Sequence, residues 1–155
     1  MNKVLIGWEE WVALPKLKLP LIKVKIDTGA KISALHAVDI TPVTRHKIPH
    51  VKFTTHPFIN DWTVERTICL PIMDERRIIS SNGERESRYI VSTPLKINHQ
   101  VFDIEVSLTN RSLMRFPMLL GREALAQFAT IDPAKSYCLG KRTQAYAKKL
   151  YKSEV

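Results

Sequence analysis

The sequence has few glycines, cysteines and aromatic residues, and no long apolar run. Only five glycines occur in 155 residues, and no Gly-x-x-x-x-Gly-Lys-Ser/Thr segment is present, which excludes a P-loop for nucleotide phosphates. No segment approaches the roughly 18 apolar residues of a membrane-spanning helix. The first residues lack the apolar stretch of a signal peptide and become acidic at Glu9 and Glu10, so we expect a cytoplasmic protein.

Cysteine and histidine are also too sparsely arranged to indicate a metal site. Cys69 and Cys138 lie far apart and form no Cys-x-x-Cys pattern, so we expect ordinary buried or half-buried thiols, with a disulfide as the less favoured alternative. His46 and His50 have the i, i+4 spacing of zinc ligands, but Pro49 between them disfavours the helix that would align them. The five histidines are expected in loops or on the surface. No metal or other cofactor is predicted.

The sequence is rich in apolar residues and in positive charge. An apolar fraction of 45% over 155 residues predicts one globular domain with a sizeable core. The net charge is +9, and five of the 24 lysines and arginines follow Gly140, against the single acid Glu154. We therefore predict a folded domain over residues 1–140 and a basic C-terminal tail over residues 141–155. Such a tail can serve solubility, an acidic partner or nucleic acid.

Short alternating segments separated by turn residues predict a mostly β fold. Asn82-Gly83 is a strong signal for a hairpin with a type I′ turn. Residues 31–37 fit a strand or a helix, and we favour a strand, whereas residues 40–49 are predicted to be rich in turns. The remaining predicted strands are Val4–Ile6, 11–14, 21–26, 51–56, 62–70, 95–98, 101–106, Met118–Leu120 and, after a turn at 132–133, a final strand ending by residue 138. Residues 122–128 are predicted as a short helix and residues 144–152 as a marginal one.

The strand over residues 21–26 runs directly into Asp27-Thr28-Gly29-Ala30. Its alternation of apolar residues with lysines is typical of a half-buried strand, and continuing the alternation places Thr28 on the inner face and Asp27 at the exit. Gly29 permits a backbone turn that a residue with a Cβ atom would resist. A carboxylate in this position is either a reactive group or the side chain of an ordinary Asx turn.

A second motif, Leu119-Leu120-Gly121-Arg122, precedes the predicted helix, and the Asn82-Gly83 hairpin lies between the two motifs. This order resembles that of the retropepsin-like aspartic proteases. More narrowly, the chain resembles a bacterial family of retropepsin-like proteins that is often labelled "ATP-dependent zinc protease" and is associated with RimK-type glutamate ligases. The stretches that carry the narrower resemblance are Ile6-Gly7-Trp8, Trp11-Val12, residues 25–30, residues 33–37, Ser80-Ser81-Asn82-Gly83, Leu108-Thr109-Asn110-Arg111 and residues 118–122.

The resemblance implies an all-β acid-protease barrel with one short C-terminal helix after the last core strand. It also implies a role for each matched residue: catalysis for Asp27, a supporting loop for Thr28, Gly29 and Ala30, a flap for Ser81, Asn82 and Gly83, and structural support for Gly121 and Arg122. Ser33 and His36 are candidates for lining the site, although packing of the His36 ring is an equal alternative. The zinc and ATP of the family label find no support in these residues.

Aspartic hydrolysis needs two carboxylates that share one proton, and this chain has a single Asp-Thr-Gly. We therefore expect a homodimer in which Asp27 of each copy meets at a two-fold axis, with the Thr28 hydroxyls bracing the loops and the hairpin acting as a lid. The predicted function is an aspartic peptidase or amide hydrolase. The resemblance implies a link to glutamate ligases or ribosomal-protein modification. The alternatives are a catalytically silent binding module that holds a peptide or ligase partner, and a basic RNA-binding barrel.

Three departures from the viral retropepsins qualify this prediction. Lys31 occupies a position where viral enzymes commonly carry an acid that pairs with the arginine of the Gly-Arg motif, so Glu123 or Glu86 would have to pair with Arg122 instead. An inward-facing Lys31 would favour ionised carboxylates. The hairpin tip is polar, which suggests a polar substrate, and the long insertion between Ala37 and Ile78 is a candidate for carrying specificity.

Overall fold

The computed structural model describes residues 3–79 and 82–153. Most of this part of the chain is β-structure. Its elements are β1 (Val4–Ile6), β2 (Glu9–Leu14), a 3-10 turn (Pro15–Leu17), β3 (Leu19–Ile26), β4 (Ser33–His36), β5 (Val38–Arg45), β6 (Ile48–Thr55), β7 (Arg66–Pro71), β8 (Asp74–Ile79), β9 (Arg85–Ile97), β10 (Gln100–Thr109), β11 (Met118–Leu120), α1 (Arg122–Leu125), β12 (Ala129–Ile131) and α2 (Gln144–Ser153).

Six strands pair in a closed ring around the core. The order is β10, β4, β11, β3, β2 and β9, and residues 90–97 of β9 pair back with residues 100–107 of β10. β8 extends this sheet as the antiparallel partner of β9. Apolar side chains that alternate along the strands fill the interior, and Leu14, Ile22, Val24, Leu35 and Leu95 are completely buried. The predicted all-β fold with a short helix after β11 is confirmed.

β11 brings the two sequence motifs to the same end of the sheet. It pairs in parallel with β3, with Ile26 opposite Leu120, and antiparallel with β4. Because parallel strands leave a sheet at the same edge, Asp27-Thr28-Gly29 after β3 and Gly121-Arg122 after β11 emerge side by side. The register of β11 therefore positions the whole candidate site.

The segment between Ala37 and Ile78 contains a separate antiparallel sheet in the order β5, β6, β7. The prediction of a turn-rich segment over residues 40–49 is wrong, because β5 reaches Arg45 and a tight turn at His46-Lys47 leads into β6. Both turn residues have positive φ, 52° and 64°, as a type I′ turn requires. Pro42 lies on the edge strand β5, where the missing backbone N–H is tolerated.

Two other strand predictions are wrong in part. Residues 62–65 form turns and the strand begins at Arg66, since the Asp61 carboxylate accepts hydrogen bonds from both the backbone N–H and the hydroxyl of Thr63. The turn at Asp132 is present, but the following residues up to 138 form no strand. The last strand is instead β12, which pairs in parallel with β1.

The predicted helix over residues 144–152 is confirmed as α2. Ala147 and Tyr151 on this helix are buried, and the Tyr151 hydroxyl donates to the Leu21 carbonyl of β3 at 2.9 Å. The range expected to be a basic tail thus contains a helix that contacts the domain, and the division at residue 140 stays a prediction. No helix in residues 3–79 and 82–153 is both long and apolar enough to cross a membrane.

Candidate active site

Asp27 lies at the start of a tight loop whose backbone holds it in place. Its N–H donates to the Leu120 carbonyl of β11 at 2.9 Å, and its carbonyl accepts the N–H of Ala30 at 3.2 Å. Asp27 Oδ1 accepts the Gly29 N–H at 3.1 Å, which is the Asx-type contact anticipated from the sequence. Within the described residues, Oδ2 has no hydrogen bond, and Asp27 lines an open cleft. The half-buried carboxylate therefore has one oxygen fixed by the loop and one available to a ligand.

Gly121 and Ser33 fasten this loop to the start of α1. The Gly121 N–H donates to Ser33 Oγ at 3.1 Å, and the Arg122 N–H donates to the Ala30 carbonyl at 2.8 Å. A Cβ atom on Gly121 would lie 2.5 Å from the carbonyl carbon of Ile32, so only glycine fits this close approach of two backbones. Ser33, a candidate for lining the site, is completely buried beneath the loop.

Arg122 supports the loop through carbonyl groups. Its Nη1 donates to the carbonyls of Thr28 at 3.5 Å and Gly29 at 3.3 Å. The expected carboxylate partners bind elsewhere: Glu123 pairs with the exposed Lys31 at 3.9 Å, and Glu86 pairs with Arg88 at 3.1 Å. Arg122 therefore contacts the Asp27 loop through backbone carbonyls and not through a carboxylate.

Thr28 is exposed at the tip of the loop. The strand alternation predicts the inner face for this residue, but the alternation ends at Ile26, where the chain turns. In the single chain, the exposed Thr28 follows the half-buried Asp27 directly. The loop tip is thus accessible to another molecule.

The hairpin between β8 and β9 forms one wall of the cleft. Ser81, predicted to be part of the flap, lies outside the described residues. Gly83 has a φ of 83°, and the Asn82 side-chain oxygen accepts the Glu84 N–H at 3.1 Å, so the tip is a polar turn. The wall itself consists of residues 76–79 of β8. Movement of this hairpin as a lid stays a prediction.

The cleft beside Asp27 has a volume of about 1120 Å3 and a strongly basic lining. Three of its lining residues are acids, Asp27, Glu105 and Glu123. The basic residues around it are Lys25, Lys31, Arg76, Arg77, Arg88, Arg111, Arg115 and Arg122. Because the walls of a cleft focus the field of such charges, it attracts anionic groups.

His36 packs in a buried cluster and does not line the cleft. Its Nδ1 accepts the Arg111 N–H at 2.9 Å, so Nε2 carries the proton and donates to His56 Nδ1 at 3.1 Å. His56 Nε2 then lies 3.4 Å from Glu65 Oε2, and the Trp62 ring stacks on the His56 ring. The expectation of loop or surface histidines is wrong for His36, which lies in β4 and is 0% exposed. His56 lies in the loop after β6, as expected, but is buried at 3% exposure.

Burial is the main cause of a low pKa at His36. It lowers the pKa from 6.5 to about 4, and the neighbouring His56 and Arg111 lower it in the same direction. The ring is therefore neutral at physiological pH, in agreement with a hydrogen bond accepted by Nδ1. The Arg111 backbone N–H can only donate a hydrogen bond, so His36 Nδ1 must accept it and the ring proton must lie on Nε2.

Arg111 is a residue of the site for which the sequence motifs indicate no role. It is 7% exposed, lines the cleft, and donates from Nε to the Phe116 carbonyl at 3.0 Å. Burial and the charge of Arg88 lower its pKa, whereas the charge of Asp27 raises it. The available signal is the stretch Leu108-Thr109-Asn110-Arg111, which contributes to the family resemblance but gives Arg111 no role.

The described residues do not fit a zinc site. No group of three or more His, Cys, Asp or Glu side chains in residues 3–79 and 82–153 is arranged to hold a metal ion. The facing rings of His36 and His56 are hydrogen-bonded to each other, and His36 Nδ1 is occupied by a backbone N–H. Both cysteines are free thiols, with Cys69 half-buried and Cys138 exposed, so the expectation of burial is wrong for Cys138.

The ring of strands, the clamped Asp-Thr-Gly loop and the Gly-Arg support define a protein of the retropepsin-like class. The chain belongs to the RimB-like family, described as "Retropepsin-like aspartic endopeptidase RimB", whose sequence profile matches residues 5–142. The family implied by the sequence motifs is thereby confirmed.

Individual relatives agree with this membership. The chain is 41% identical over 150 residues to a "Probable alpha-L-glutamate ligase" of Shewanella pealeana and 42% identical over 152 residues to a protein of the same name in Desulfotalea psychrophila. These matches cover 97% and 98% of this chain but 33% of each relative, so the chain spans about a third of their length. A crystal structure of a Legionella pneumophila protein of unknown function is 29% identical with a TM-score of 0.75, covering 89% of this chain and 99% of that one.

Proposed function

We propose that this protein is an aspartic-type peptidase or amide hydrolase that acts as a homodimer, with Asp27 of each subunit forming the catalytic pair. The observation that carries the proposal is the placement of Asp27, which is fixed by β11 and Gly29 and has one carboxylate oxygen available at a cleft. The chain contains a single Asp-Thr-Gly, so a second carboxylate of the same kind must come from another copy. The exposed Thr28 beside Asp27 gives the two loops a surface on which to meet.

In the proposed mechanism, one Asp27 is ionised and its counterpart is protonated. The ionised carboxylate takes a proton from a water molecule as the water oxygen bonds to the amide carbon, and the protonated carboxyl gives its proton to the carbonyl oxygen. The tetrahedral intermediate then loses the amine as the C–N bond breaks. Nitrogen takes the proton that the first carboxylate received from water, and the counterpart regains its proton from a hydroxyl group of the intermediate. Thr28 braces the loops and the β8–β9 hairpin shields the reaction from water.

The basic cleft supports an anionic peptide as the substrate. Relatives named "Probable alpha-L-glutamate ligase" extend this proposal to a link with glutamate ligation. The resemblance of the sequence motifs adds modification of ribosomal proteins to the proposal. A ligase is then a partner of this domain, and the substrate is a protein or peptide carrying glutamates. The cytoplasm remains the proposed compartment, on the sequence reasoning alone.

The test is cleavage of a quenched-fluorescence library of random and Glu-rich decapeptides, with products identified by mass spectrometry. We expect Asp27→Asn to lower the cleavage rate by at least about a hundredfold, because a general acid–base group contributes about 10²–10⁴. Asp103→Asn is the matched control, since this residue is exposed and its side chain makes no hydrogen bond or ion pair within residues 3–79 and 82–153. Its backbone carbonyl accepts a hydrogen bond from Gln127. Cleavage that survives in Asp27→Asn would contradict the two-carboxylate mechanism.

A second candidate function is a catalytically silent module that holds a peptide or a ligase. The observation in its favour is that the chain aligns with only a third of longer proteins named as ligases, as a substrate-holding domain would. In that case wild-type protein and Asp27→Asn would bind the same peptides with equal affinity, and neither would cleave them.

A further inference from the structure

We propose that Arg111, supported by Arg88, forms a subsite that binds a side-chain carboxylate of a peptide lying in the Asp27 cleft. The subsite deepens the proposed function and relies on it for what happens to the bound peptide. Binding itself is independent of catalysis, because it requires only the cleft and the two guanidinium groups.

Arg111 is a buried cation that lacks an ion partner. It is 7% exposed, and its Nε donates to the Phe116 carbonyl, which leaves the two Nη groups for the cleft that the residue lines. No carboxylate pairs with it among residues 3–79 and 82–153. A buried guanidinium with no directly paired carboxylate is unfavourable. The charge of Asp27 raises the pKa of Arg111, but burial, the main cause, lowers it. An incoming carboxylate would supply the missing partner.

The backbone around Arg111 is fixed on both sides, so the side chain is held in place before a ligand arrives. Its N–H donates to His36 Nδ1 at 2.9 Å, and its carbonyl accepts the Met114 N–H at 2.8 Å. A pre-positioned guanidinium fork presents parallel N–H groups to a carboxylate and loses little side-chain freedom on binding. Arginine rather than lysine suits this task because of its planar geometry.

Arg88 adds a second charge to the same cleft. Its side chain is 12% exposed, it pairs with Glu86, and its Nη1 donates to Ser107 Oγ at 3.4 Å. Its charge lowers the pKa of Arg111, which shows that the two cations act on each other. Two cations held together in this way attract an anion more strongly than either alone.

Asp27 does not neutralise this positive charge. The catalytic pair of the proposed dimer carries one negative charge in its active form, shared between two subunits, whereas each subunit contributes its own Arg111. Arg88 is already paired with Glu86, so the charge that remains is that of Arg111. Positive charge therefore remains in the cleft after the pair is counted. We infer that this remaining positive charge binds the substrate, and that the substrate is an acidic peptide.

The experiment measures binding in the Asp27→Asn variant, so that no peptide is consumed. Fluorescein-labelled hexaglutamate and hexaglutamine peptides are titrated by anisotropy at about 0.15 M salt, where exposed charges are screened beyond about 8 Å. We expect hexaglutamate to bind at least about tenfold more tightly than hexaglutamine, and Arg111→Met to remove at least about tenfold of that affinity, as for hydrogen bonds to charged groups. Arg45→Met is the matched control, because this exposed arginine lies at the β5–β6 turn and loses the same charge.

Two outcomes would overturn the subsite: equal binding of the two peptides, or an equal loss in Arg111→Met and Arg45→Met. If Arg111→Met does not fold, Arg111→Lys is measured in its place. This variant keeps the positive charge, so hexaglutamate should still bind more tightly than hexaglutamine, but the affinity that comes from the planar N–H donors should be lost. A change in sedimentation with unchanged peptide affinity would assign Arg111 to the dimer interface and also contradict the proposal. Absence of cleavage by wild-type protein, with binding as expected, would refute the proposed function alone.

Discussion

His36 Nε2 and His56 Nδ1 face each other at 3.1 Å, and neither ring has appreciable contact with solvent. A protonated His36 could no longer accept the Arg111 N–H at Nδ1, so proton uptake breaks a buried hydrogen bond and places a charge beside Arg111. This pair links the β4 strand of the ring to β6 of the inserted sheet and its following loop. The contact should make the stability of the fold depend on pH.

We predict that the free energy of unfolding falls as the pH drops from about 6.5 to about 4. Because the pKa of His36 is lowered to about 4 in the folded state, the unfolded chain binds more protons in this window and protonation favours unfolding. The neutral His36 ring contributes about 3 kcal/mol to the free energy of unfolding, and this contribution is fully present above pH 6.5. Urea denaturation across this range measures it. His36→Leu should flatten the curve, whereas the exposed His99→Gln should leave its slope unchanged.

The sequence predicted the Asp27 loop well and the histidine pair not at all, for a physical reason. The loop depends on local chemistry, since an Asx contact and a glycine turn involve residues that are neighbours in the chain. His36 and His56 are 20 residues apart and meet only after the inserted sheet folds against the ring. Strand β5 and residues 48–50 of β6, which flank the turn at His46-Lys47, were not predicted as strands. Neither turn residue is the glycine or asparagine that usually signals the positive φ of a tight hairpin.

Gly121→Ala should destabilise the protein by about 2–3 kcal/mol, as overpacking typically does. The new Cβ atom would lie 2.5 Å from the carbonyl carbon of Ile32 and 2.9 Å from the carbonyl oxygen of Ala30, so the backbone itself must move. Gly83→Ala is the comparison, because a Cβ atom on Gly83 would meet nothing within 4 Å and the cost of its positive φ is about 1 kcal/mol. If urea denaturation gave the same loss of unfolding free energy for Gly121→Ala and Gly83→Ala, the backbone around Gly121 would be able to move without cost.

Thr28→Arg should convert the proposed dimer into a monomer without unfolding the chain. Thr28 is exposed, so its replacement should change the free energy of unfolding of the subunit by less than about 0.5 kcal/mol. Two added charges at a two-fold axis would face each other, which opposes association. Sedimentation velocity at matched concentrations measures the shift, with the exposed Thr44→Arg on β5 as control. An unchanged sedimentation coefficient would place the dimer contact elsewhere.

Glu10→Ala should cost at least about 3 kcal/mol, since it leaves several buried N–H groups without acceptors. The Glu10 carboxylate is completely buried and accepts the N–H groups of Gly7 at 2.7 Å, Cys138 at 2.8 Å and Leu139 at 2.9 Å. These bonds attach the segment after β12 to β2. The exposed Glu123→Ala, which breaks only the Lys31 pair, should cost less than about 1 kcal/mol. If Glu10→Ala and Glu123→Ala lowered the free energy of unfolding by similar amounts, water would be accepting the hydrogen bonds that the Glu10 carboxylate accepts in the wild-type protein.

Tyr151→Ala should lower the free energy of unfolding by about 3 kcal/mol, and this variant tests whether residues 141–155 are an appendage or part of the domain. Tyr151 is 2% exposed, its ring meets Phe58 edge to face, and its hydroxyl donates to the Leu21 carbonyl. Leu21 belongs to β3, the strand that ends at Asp27, so the helix supports the strand that carries the proposed catalytic residue. Tyr146→Ala is the control on the same helix, because its side chain is 46% exposed. If both variants unfold at the wild-type urea concentration, the helix contributes nothing to the fold and the boundary at residue 140 is correct.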